Sequence, residues 1–587
     1  MRPYLKFLLC FLLLGCANNT DPIKEDFKPN IILIVTDDQG WGDLSFNGNS
    51  NLQTPNLDNL AKNGVSFENF YVQPVCSPTR AEILCGRQFR RLGVYATSAG
   101  GERLNLGETT LAEVFKKAGY KTAAYGKWHS GMQAPYHPNS RGFDDFYGFA
   151  SGHWGNYFDP LLEHNGKLVK GNGFIVDELT DKGLDFISKN RERPFLLYLP
   201  YNTPHSPMQV PDKYWNKFQN RQLSKKHTDT TLEDISFTKA ALAMIENIDN
   251  NVGRITNKLK ELNLEENTIL VYLSDNGPNG WRWNAGMRGK KGSTDEGGVR
   301  SPLFISWKNT IPGSKSITQI ASAIDILPTL AGLADIEIKT INPLDGTNLE
   351  PLIFEENPIW KPRYIYNNWN QKTSVRSQDF RLDDKNRLYH IPTDIGQTRD
   401  VSKEYPDDYN SLLRAKELWL KELPIPTTEI RPFTIGHPSM NTTQLPARDG
   451  ISHGGIERSN KYPNCSFFTN WKSPEDYISW DVDVLTEGSY EVILYYSCAK
   501  KNVGATILVE LDSNSLSKKI TEFHDPPITG MENDRIPRIE SYIKDFKPLS
   551  MGIIKLQKGR GKLKLRASQI PGEGAIDFRL LLFEKRS

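Results

Sequence analysis

Cys76 begins the segment of this sequence with the most evident capacity for chemistry, Cys76-Ser77-Pro78-Thr79-Arg80. Ser77 is a good N-cap and Pro78 a good first helical residue, so Cys76 is expected just before a helix N-terminus. The helix dipole there favours anions and Arg80 lies a turn further on, so a thiol at this place would be acidic and reactive. These residues alone leave three interpretations open: a catalytic thiol, a redox thiol, or an inert cysteine at a cap.

Two pairs of oxygen-bearing side chains follow apolar segments. Asp37 and Asp38 follow the run 31–36, and Asp275 and Asn276 come at the end of the run that starts at residue 268. A single pair of this kind is usually a turn or a cap, but two pairs, each at the end of an apolar strand, are much less readily accidental. Four such side chains without a Cys/His cluster suit a hard cation such as calcium.

The elements that must position these residues alternate between strands and helices. Predicted strands cover 31–36, 121–125, 195–199 and 268–273, and a long helix around 248–262 precedes the last of them. This alternation predicts an α/β domain with a mostly parallel mixed sheet flanked by helices. Ligands of such sheets bind where the strands end, which is where the polar residues are found.

The pattern changes after residue 340. Short strands near 364–366, 380–382 and 387–391 predict a small antiparallel α+β subdomain over 341–425, followed by a Pro- and Thr-rich linker over 426–450. Alternating apolar residues and Gly-rich turns then predict a C-terminal β-sandwich over 451–587. The catalytic domain is accordingly assigned to residues 29–340.

The N-terminus predicts export. Arg2 and Lys6 precede an apolar run too short to span a bilayer, so residues 1–15 are interpreted as a signal peptide. The sequence Leu13-Leu14-Gly15-Cys16 resembles a bacterial lipobox, which implies lipidation of Cys16, a tether over 16–28 and anchoring to the bacterial cell envelope, at the outer membrane or periplasm. The alternative is a plain signal peptide with an incidental cysteine.

Composition narrows the classes of function. The 587 residues contain 72 Lys+Arg and 70 Asp+Glu, and 38% are hydrophobic, which is an ordinary globular composition. Neither a basic stripe for nucleic acid nor an acidic tail is evident. Cys465 and Cys498 could form a disulfide in an exported protein, although the sequence does not decide this.

Six sequence motifs occur in order over residues of about 30 to 425. One is Cys76-x-Pro78-x-Arg80 followed by Leu84-x-Gly86-Arg87. The others are Asp37-Asp38, Gly126-Lys127-Trp128-His129, Thr203-Pro204-His205, Asp275-Asn276, and the segment from Gly289 to Arg300. Together they resemble the type I sulfatases of the alkaline phosphatase superfamily, with Cys85 and Ser293 where Thr is usual. The resemblance implies an alkaline phosphatase-like fold and a sulfuric ester hydrolase.

The resemblance also implies a role for each matched residue. Cys76 is oxidised to formylglycine by a formylglycine-generating enzyme, and its hydrate attacks sulfur. One calcium ion is held by Asp37, Asp38, residue 76, Asp275 and Asn276. The implied catalytic residues, besides Cys76, are Arg80, Lys127, His129, His205 and Lys291. His205 is the candidate acid for the leaving oxygen, since an unperturbed imidazole transfers protons near neutrality.

Substrate recognition is expected at two loops. Ser151 corresponds to a family serine near the sulfate, and His153 lies in the same loop. Trp281 and Arg282 lie in an insertion whose side chains suit sugar rings and anions. We predict a sulfated polysaccharide substrate, algal (ulvan or carrageenan) before host glycosaminoglycan, with the sandwich either binding glycan or bracing the catalytic domain. Two alternatives are a phosphodiesterase or phosphonate hydrolase of the same superfamily and a non-catalytic glycan-binding lipoprotein.

Overall fold

The computed structural model describes residues 28–423 and 431–586. The predicted signal peptide, Cys16 and the tether up to residue 27 lie outside the described residues, as do residues 424–430, which include the start of the predicted linker. Within the described part of the chain, none of the helices has the length and apolar character needed to cross a membrane.

The first part of the chain is an α/β domain. Its strands are β1 (Asn30–Thr36), β2 (Val65–Phe67), β3 (Phe70–Tyr71), β4 (Lys121–Lys127), β5 (Asp145–Phe149), β6 (Leu161–His164), β7 (Lys167–Lys170), β8 (Phe195–Pro200), β9 (Thr268–Ser274), β10 (Arg300–Ser301), β11 (Leu303–Ser306), β12 (Lys315–Ile317) and β13 (Ala321–Ser322). Its α-helices are α1 (Pro55–Lys62), α2 (Cys76–Cys85), α3 (Leu111–Lys117), α4 (Ile175–Lys189), α5 (Asp212–Phe218), α6 (Ile235–Glu261), α7 (Glu296–Val299) and α8 (Ile326–Leu333).

Ten of these strands form one mixed sheet in the order β12-β2-β11-β9-β1-β8-β4-β5-β6-β7. The five central strands, β9-β1-β8-β4-β5, are parallel. Alternate residues of β1 enter two different apolar clusters, Ile31 and Leu33 on one face and Ile32 and Ile34 on the other. Both faces are therefore covered by helices, which confirms the predicted α/β fold with a mostly parallel mixed sheet.

A small antiparallel unit follows. It contains β14 (Ile365–Trp369), β15 (Lys372–Arg376), β16 (Phe380–Leu382) and β17 (Leu388–His390), with α9 (Glu350–Phe354) before it and α10 (Pro406–Glu422) after it. The strands pack on α10 through Val375, Leu382 and Leu412. β15 was not predicted, because its buried side chains include Thr373, Ser374 and Arg376 and so show no apolar alternation.

The C-terminal part is a β-sandwich. Its strands are β18 (Phe433–Ile435), β19 (Thr442–Pro446), β20 (Ile451–His453), β21 (Glu457–Arg458), β22 (Phe468–Thr469), β23 (Tyr477–Val484), β24 (Gly488–Ser497), β25 (Thr506–Leu511), β26 (Asn514–Lys519), β27 (Lys547–Leu556), β28 (Gly559–Gln569) and β29 (Asp577–Lys585). One sheet has the order β18-β23-β28-β25-β26 with β20 beside β23, and the other has β21-β22-β29-β24-β27 with β19 beside β29. Both contribute to one apolar core.

Two strands of the sandwich fall inside the predicted linker. β18 pairs with β23, and β19 pairs with β29 along five residues, so the described residues of 426–450 are mostly built into the sandwich. The Pro and Thr residues suggested a free linker, but Thr is also a good strand residue and Pro446 lies at a strand end. Cys465 and Cys498 are both buried and free, so no disulfide joins them.

Candidate functional site

Cys76 is the first residue of α2 and is 4% exposed. Val75 occupies the N-cap position, two residues before the predicted N-cap Ser77. The Ser77 hydroxyl does not cap the helix; it donates to the carbonyl oxygen of Ala96 at 3.0 Å. α2 therefore points its N-terminus and residue 76 at the end of the central strands, while Ser77 ties the helix to the neighbouring loop. Cys85, at the other end, is buried as expected, and burial raises the pKa of its thiol to about 12.

The two acidic pairs lie side by side because β1 and β9 are adjacent and parallel, with Thr36 opposite Ser274. Asp37, Asp38, Asp275 and Asn276 are each no more than 1% exposed. The Asn276 amide donates to Asp38 Oδ1 at 2.8 Å, and the Asp38 backbone N–H donates to Asp275 Oδ1 at 3.3 Å. The strand ends thus gather three carboxylates and one amide in a buried cluster.

This cluster fits a hard cation. Three of its buried oxygens, Asp37 Oδ1, Asp38 Oδ2 and Asn276 Oδ1, accept no hydrogen bond within the described part of the chain. Ligating atoms of Asp37, Cys76 and Asp275 lie within 4.8 Å of one another. Burial, together with repulsion by Asp37, holds the pKa of the Asp275 carboxyl well above its ordinary value. Unpaired buried oxygens are costly, and an oxygen-liganded cation would satisfy them.

Three cations surround the same place, each beside a carboxylate. Arg80 Nε donates to Asp275 Oδ2 at 2.9 Å, Lys127 Nζ lies 2.7 Å from Asp37 Oδ2, and Lys291 Nζ lies 2.6 Å from Asp38 Oδ1. Burial tends to lower the pKa of Lys291, but attraction by Asp38, together with that of Cys76 and Asp37, outweighs burial and raises the pKa. The cluster therefore combines cation ligands with fixed positive charge, an arrangement suited to an oxyanion.

The small antiparallel unit holds the loop that carries Lys291. Arg381 Nη1 and Ser374 Oγ donate to the carbonyl oxygen of Thr294 at 2.9 and 2.7 Å. Arg381 Nε also donates to Glu296 at 2.8 Å, and Arg376 lies 3.3 Å from the same carboxylate. Burial raises the pKa of Glu296, but the two arginines outweigh it and bring the pKa to about 2. Lys291 is thus placed by a buried ion cluster.

His129 lies beyond its strand. β4 ends at Lys127, and His129 has a φ of 60°, so the alternation expected for a strand does not apply to it. Its Nε2 lies 2.8 Å from the carbonyl oxygen of Thr97, which can only accept, so Nε2 carries hydrogen. Nδ1 is buried and has no hydrogen-bond partner in the part of the chain that the structure describes. Burial, and then Lys127, lower the pKa of the ring well below its ordinary value. A Cβ on Gly152 would meet Nε2 at 2.1 Å, so this neighbour must be glycine.

His153 and His205 face each other with ring centroids 5.2 Å apart. His205 Nδ1 lies 2.7 Å from the Ser206 carbonyl oxygen, so Nδ1 carries hydrogen, and Nε2 lies 3.7 Å from Asp38 Oδ2. Both ring nitrogens of His153 are buried and have no hydrogen-bond partner among residues 28–423 and 431–586. Burial, and then the nearby His205, lower the pKa of His153 well below its ordinary value. The predicted histidines therefore converge on the acidic cluster.

The remaining predicted substrate residues occupy different settings. Ser151 is buried and donates to the His153 carbonyl oxygen at 2.9 Å. Arg282 is 3% exposed, and its guanidinium donates to Asp43 and to the Asp38 carbonyl oxygen at 3.0 Å, so it supports the acidic loop and is not open to a sugar. Trp281 is partly exposed beside Lys290, whose Nζ lies 5.6 Å from the indole centroid.

Several supporting residues were not predicted. Tyr157 directs its hydroxyl at the carbonyl oxygens of His205 and Ser206, at 3.0 and 2.8 Å. Glu102 and Arg448 form a buried ion pair behind the His129 loop. No motif marks these residues, because their partners lie on segments far away along the chain.

The large sheet and a buried oxyanion site at its strand ends define an alkaline phosphatase-like hydrolase. The profile of the sulfatase family matches residues 29–336, and this chain belongs to that family. It is 31% identical to N-acetylgalactosamine-6-sulfatase of Mus musculus over 374 residues, covering 58% of this chain and 68% of the relative. It is 34% identical to the uncharacterized sulfatase YdeN of Escherichia coli (strain K12), covering 55% and 66%.

A solved structure agrees with this assignment. Ps i-CgsB, crystallised in complex with k-i-k-neocarrahexaose, is 33% identical with a TM-score of 0.62, over 68% of this chain and 94% of that one. The phosphonate monoester hydrolase of Agrobacterium radiobacter shares the fold at 18% identity and a TM-score of 0.52. The protein is a sulfuric ester hydrolase, as predicted.

Proposed function

We propose that this sulfatase removes sulfate from a sulfated carbohydrate chain, using formylglycine made from Cys76 and one calcium ion. The observation that carries the proposal is the position of Cys76, at a helix N-terminus within reach of Asp37 and Asp275 and beside the cations Arg80, Lys127 and Lys291, of which the first two are buried. A thiol that served only to pack would not need this concentration of ion ligands and fixed charge.

The metal ligands we propose are Asp37, Asp38, Asp275, Asn276 and residue 76. Their all-oxygen side chains, apart from residue 76, favour calcium over a thiolate- or imidazole-loving metal. When bound, the ion and the formylglycine supply charge neutralisation and an oxygen nucleophile with a second hydroxyl. Every other task falls to side chains of this chain.

Arg80, Lys127 and Lys291 bind the sulfate oxygens and stabilise the negative charge that grows on them during transfer. His129 takes a proton at Nδ1, because Nε2 is held as a donor by Thr97. His205 delivers a proton to the leaving sugar oxygen from Nε2, since Nδ1 is held by its own loop. His153 contacts the substrate with its two unpartnered nitrogens.

The proposed substrate class rests on the relatives and on a group of aromatic and basic side chains beside the site. We call this group the rim; it consists of Lys225, His227, Trp281, Trp283 and Lys290. Trp281 has His227 at a ring distance of 4.9 Å and Lys290 above it, and Lys225 lies 5.2 Å from the ring of Trp283. An aromatic face beside ammonium groups suits a sugar that carries further sulfates. The carrageenan oligosaccharide bound by Ps i-CgsB supports an algal galactan as the first substrate to try, then ulvan, then glycosaminoglycans.

We also propose that the protein is exported and anchored to the bacterial envelope through Cys16. The basic and apolar N-terminal residues and the Leu13-Leu14-Gly15-Cys16 sequence support this. Lipid labelling of the wild type and of a Cys16→Ser variant tests it. Label on the wild type alone supports the anchor, and label on neither contradicts it.

Sulfate release tests the proposed reaction. Protein whose Cys76 conversion has been verified by mass is incubated with sulfated carrageenan, ulvan and glycosaminoglycan oligosaccharides, with calcium and with chelator. We expect calcium-dependent release from one polymer family, and none from a Cys76→Ala variant that remains folded. Turnover of phosphate or phosphonate esters alone would instead favour the phosphoester alternative. Absence of formylglycine after coexpression with a formylglycine-generating enzyme would favour a glycan-binding lipoprotein.

A further inference from the structure

Each of the three histidines near Cys76 depends on a loop that the C-terminal sandwich contacts. We call residues 95–103, 151–157 and 203–210 the supporting loops. The first provides the Thr97 carbonyl oxygen that fixes the His129 ring, and the other two carry His153 and His205.

Residues 431–448, at the start of the sandwich, contact the first supporting loop. Arg448 forms an ion pair with Glu102, and their side chains are 3% and 1% exposed. Arg103 donates from Nη1 to the carbonyl oxygens of Arg431 and Pro432 at 3.0 and 3.1 Å. The Arg103 guanidinium also lies 4.2 Å from the ring centroid of Phe433. Both sets of contacts are made within the protein, so the side chains that form them are not available to bind a glycan.

The other two loops are held by the segment between β26 and β27. Ser206, next to His205, donates its hydroxyl to Glu540, and Gln209 donates to the Gly530 carbonyl oxygen and to Asp534, both at 2.8 Å. Arg538 donates to the carbonyl oxygen of Gly155. The segment therefore contacts both of the loops that carry the facing histidine rings.

A further contact reaches the His153 residue itself. The thiol of the buried Cys465 lies 3.4 Å from the His153 carbonyl oxygen. The sandwich therefore touches all three loops through buried or partly buried groups, whereas a tethered binding module would need none of them.

We propose that the β-sandwich is a working part of the active site, in which Arg448 and Glu540 are positioning residues for His129 and His205. Arg448 acts through Glu102 and the first supporting loop, and Glu540 acts through Ser206. Loss of one partner of a buried ion pair leaves the other as an unpaired buried charge, which costs free energy. Residues 95–103 therefore adopt their position only when the sandwich is docked and Arg448 pairs with Glu102. Catalytic groups must keep their geometry to within about 0.5 Å, which is the tolerance that such support provides.

The test compares turnover on a small sulfated sugar, too short to reach a distant binding face, in full-length, fully converted protein. Arg448→Met is compared with Arg448→Lys, and Glu540→Ala with Glu540→Gln. Lys562→Met is the control, because Lys562 pairs with Asp481 on the exposed surface of the sandwich, where their side chains are 49% and 42% exposed. Hydrogen exchange of the three supporting loops is measured on the same samples.

We expect Arg448→Met and Glu540→Ala to lower kcat about tenfold to a hundredfold while KM changes little, as for other residues that orient catalytic groups. Arg448→Lys and Glu540→Gln should recover part of the loss, and exchange should rise in residues 95–103 or 203–210 respectively. The control should match the wild type. Unchanged kcat with unchanged exchange would overturn the proposal, as would a loss confined to KM, which would mean that these residues affect binding and not the position of the catalytic histidines.

Two complications are covered by the same design. If Arg448→Met does not fold, the Glu540 variants carry the test through residues 203–210. The kinetic arm rests on the proposed function, but the exchange arm does not. A wild type that releases no sulfate would contradict the proposed function, while exchange still decides whether the sandwich holds the loops.

Discussion

The cationic half of the site and the histidine half are supported in different ways. Arg80, Lys127 and Lys291 each lie beside a carboxylate of the catalytic domain, and the loop of Lys291 is held by the small antiparallel unit. His129, His153 and His205 lie on or against loops whose outer sides are contacted by the C-terminal sandwich.

The two halves differ in what fixes the positions of their side chains. Opposite charges in a buried site specify each other's positions, so each cation of this half is positioned chiefly by the carboxylate beside it. A neutral imidazole has only one or two hydrogen bonds to orient it, so its position depends on the backbone that supplies them. We infer that the histidine half is where an added domain can influence the reaction.

The largest effect expected within the cationic half distinguishes two neighbouring lysines. Lys291→Met removes the ammonium group beside Asp38, whereas Lys290→Met removes one that lies over Trp281. We expect Lys291→Met to lower kcat about 100- to 1,000-fold, the usual cost of losing one charge-stabilising donor. Lys290→Met should raise KM severalfold and leave kcat nearly unchanged.

Steady-state kinetics on a defined sulfated oligosaccharide measures both constants, with Cys76 conversion verified by mass for each variant. Similar losses of kcat in the two variants would contradict the assignment of Lys291 to the sulfate and of Lys290 to the rim.

Glu296→Gln tests the support of the cationic half. The substitution leaves Arg376 and Arg381 buried without their shared carboxylate, so we expect the free energy of unfolding to fall by about 3 kcal/mol. Glu404→Gln is the matched control, because its pair with Arg399 is exposed and should contribute less than about 1 kcal/mol. Urea unfolding monitored by fluorescence measures the free energy of unfolding of both variants. Equal losses would mean that the buried ion cluster contributes no more to stability than the exposed pair.

A smaller effect, away from both halves, is a dependence of stability on pH. Burial raises the pKa of Asp249 to about 6, although it accepts hydrogen bonds from the Leu57 backbone and from Asn56. Because the folded state then holds this proton more tightly than the unfolded state, the contribution to stability is full below pH 4 and is lost as the pH rises through about 6.

Asp249→Asn should therefore stabilise the protein by about 2 kcal/mol at pH 8 and have little effect at pH 4. Thermal or urea unfolding at the two pH values measures the difference. Equal effects at both would show that Asp249 is not the titrating group.

The sequence predicted the α/β sheet and the convergence of the matched residues well, because both follow from local patterns. An apolar run such as 31–36 is a buried strand wherever it lies in the sheet, and polar residues at its end reach the ligand edge. Asp37, Lys127 and His205 were identified in this way, together with the motif order.

The remaining features depend on contacts between distant segments. Arg282 is of a residue type that often binds anionic substrates, but its guanidinium pairs with Asp43. The sequence separation of these two residues does not reveal the pairing. His129 leaves the strand because its backbone turns to a positive φ, which no residue type at this position announces. β18 and β19 were assigned to a linker since their partners, β23 and β29, come later in the chain.

The place of β29 in its sheet has a consequence for the order of events during synthesis. This strand lies between β22 and β24 and also pairs with β19, yet it follows all three of them along the chain. The catalytic sheet needs no residue beyond β12, so it can form while the sandwich still lacks its central strand. The loops behind the histidines are therefore secured last, and the segment around Cys76 passes through a period in which it is less enclosed than in the finished protein.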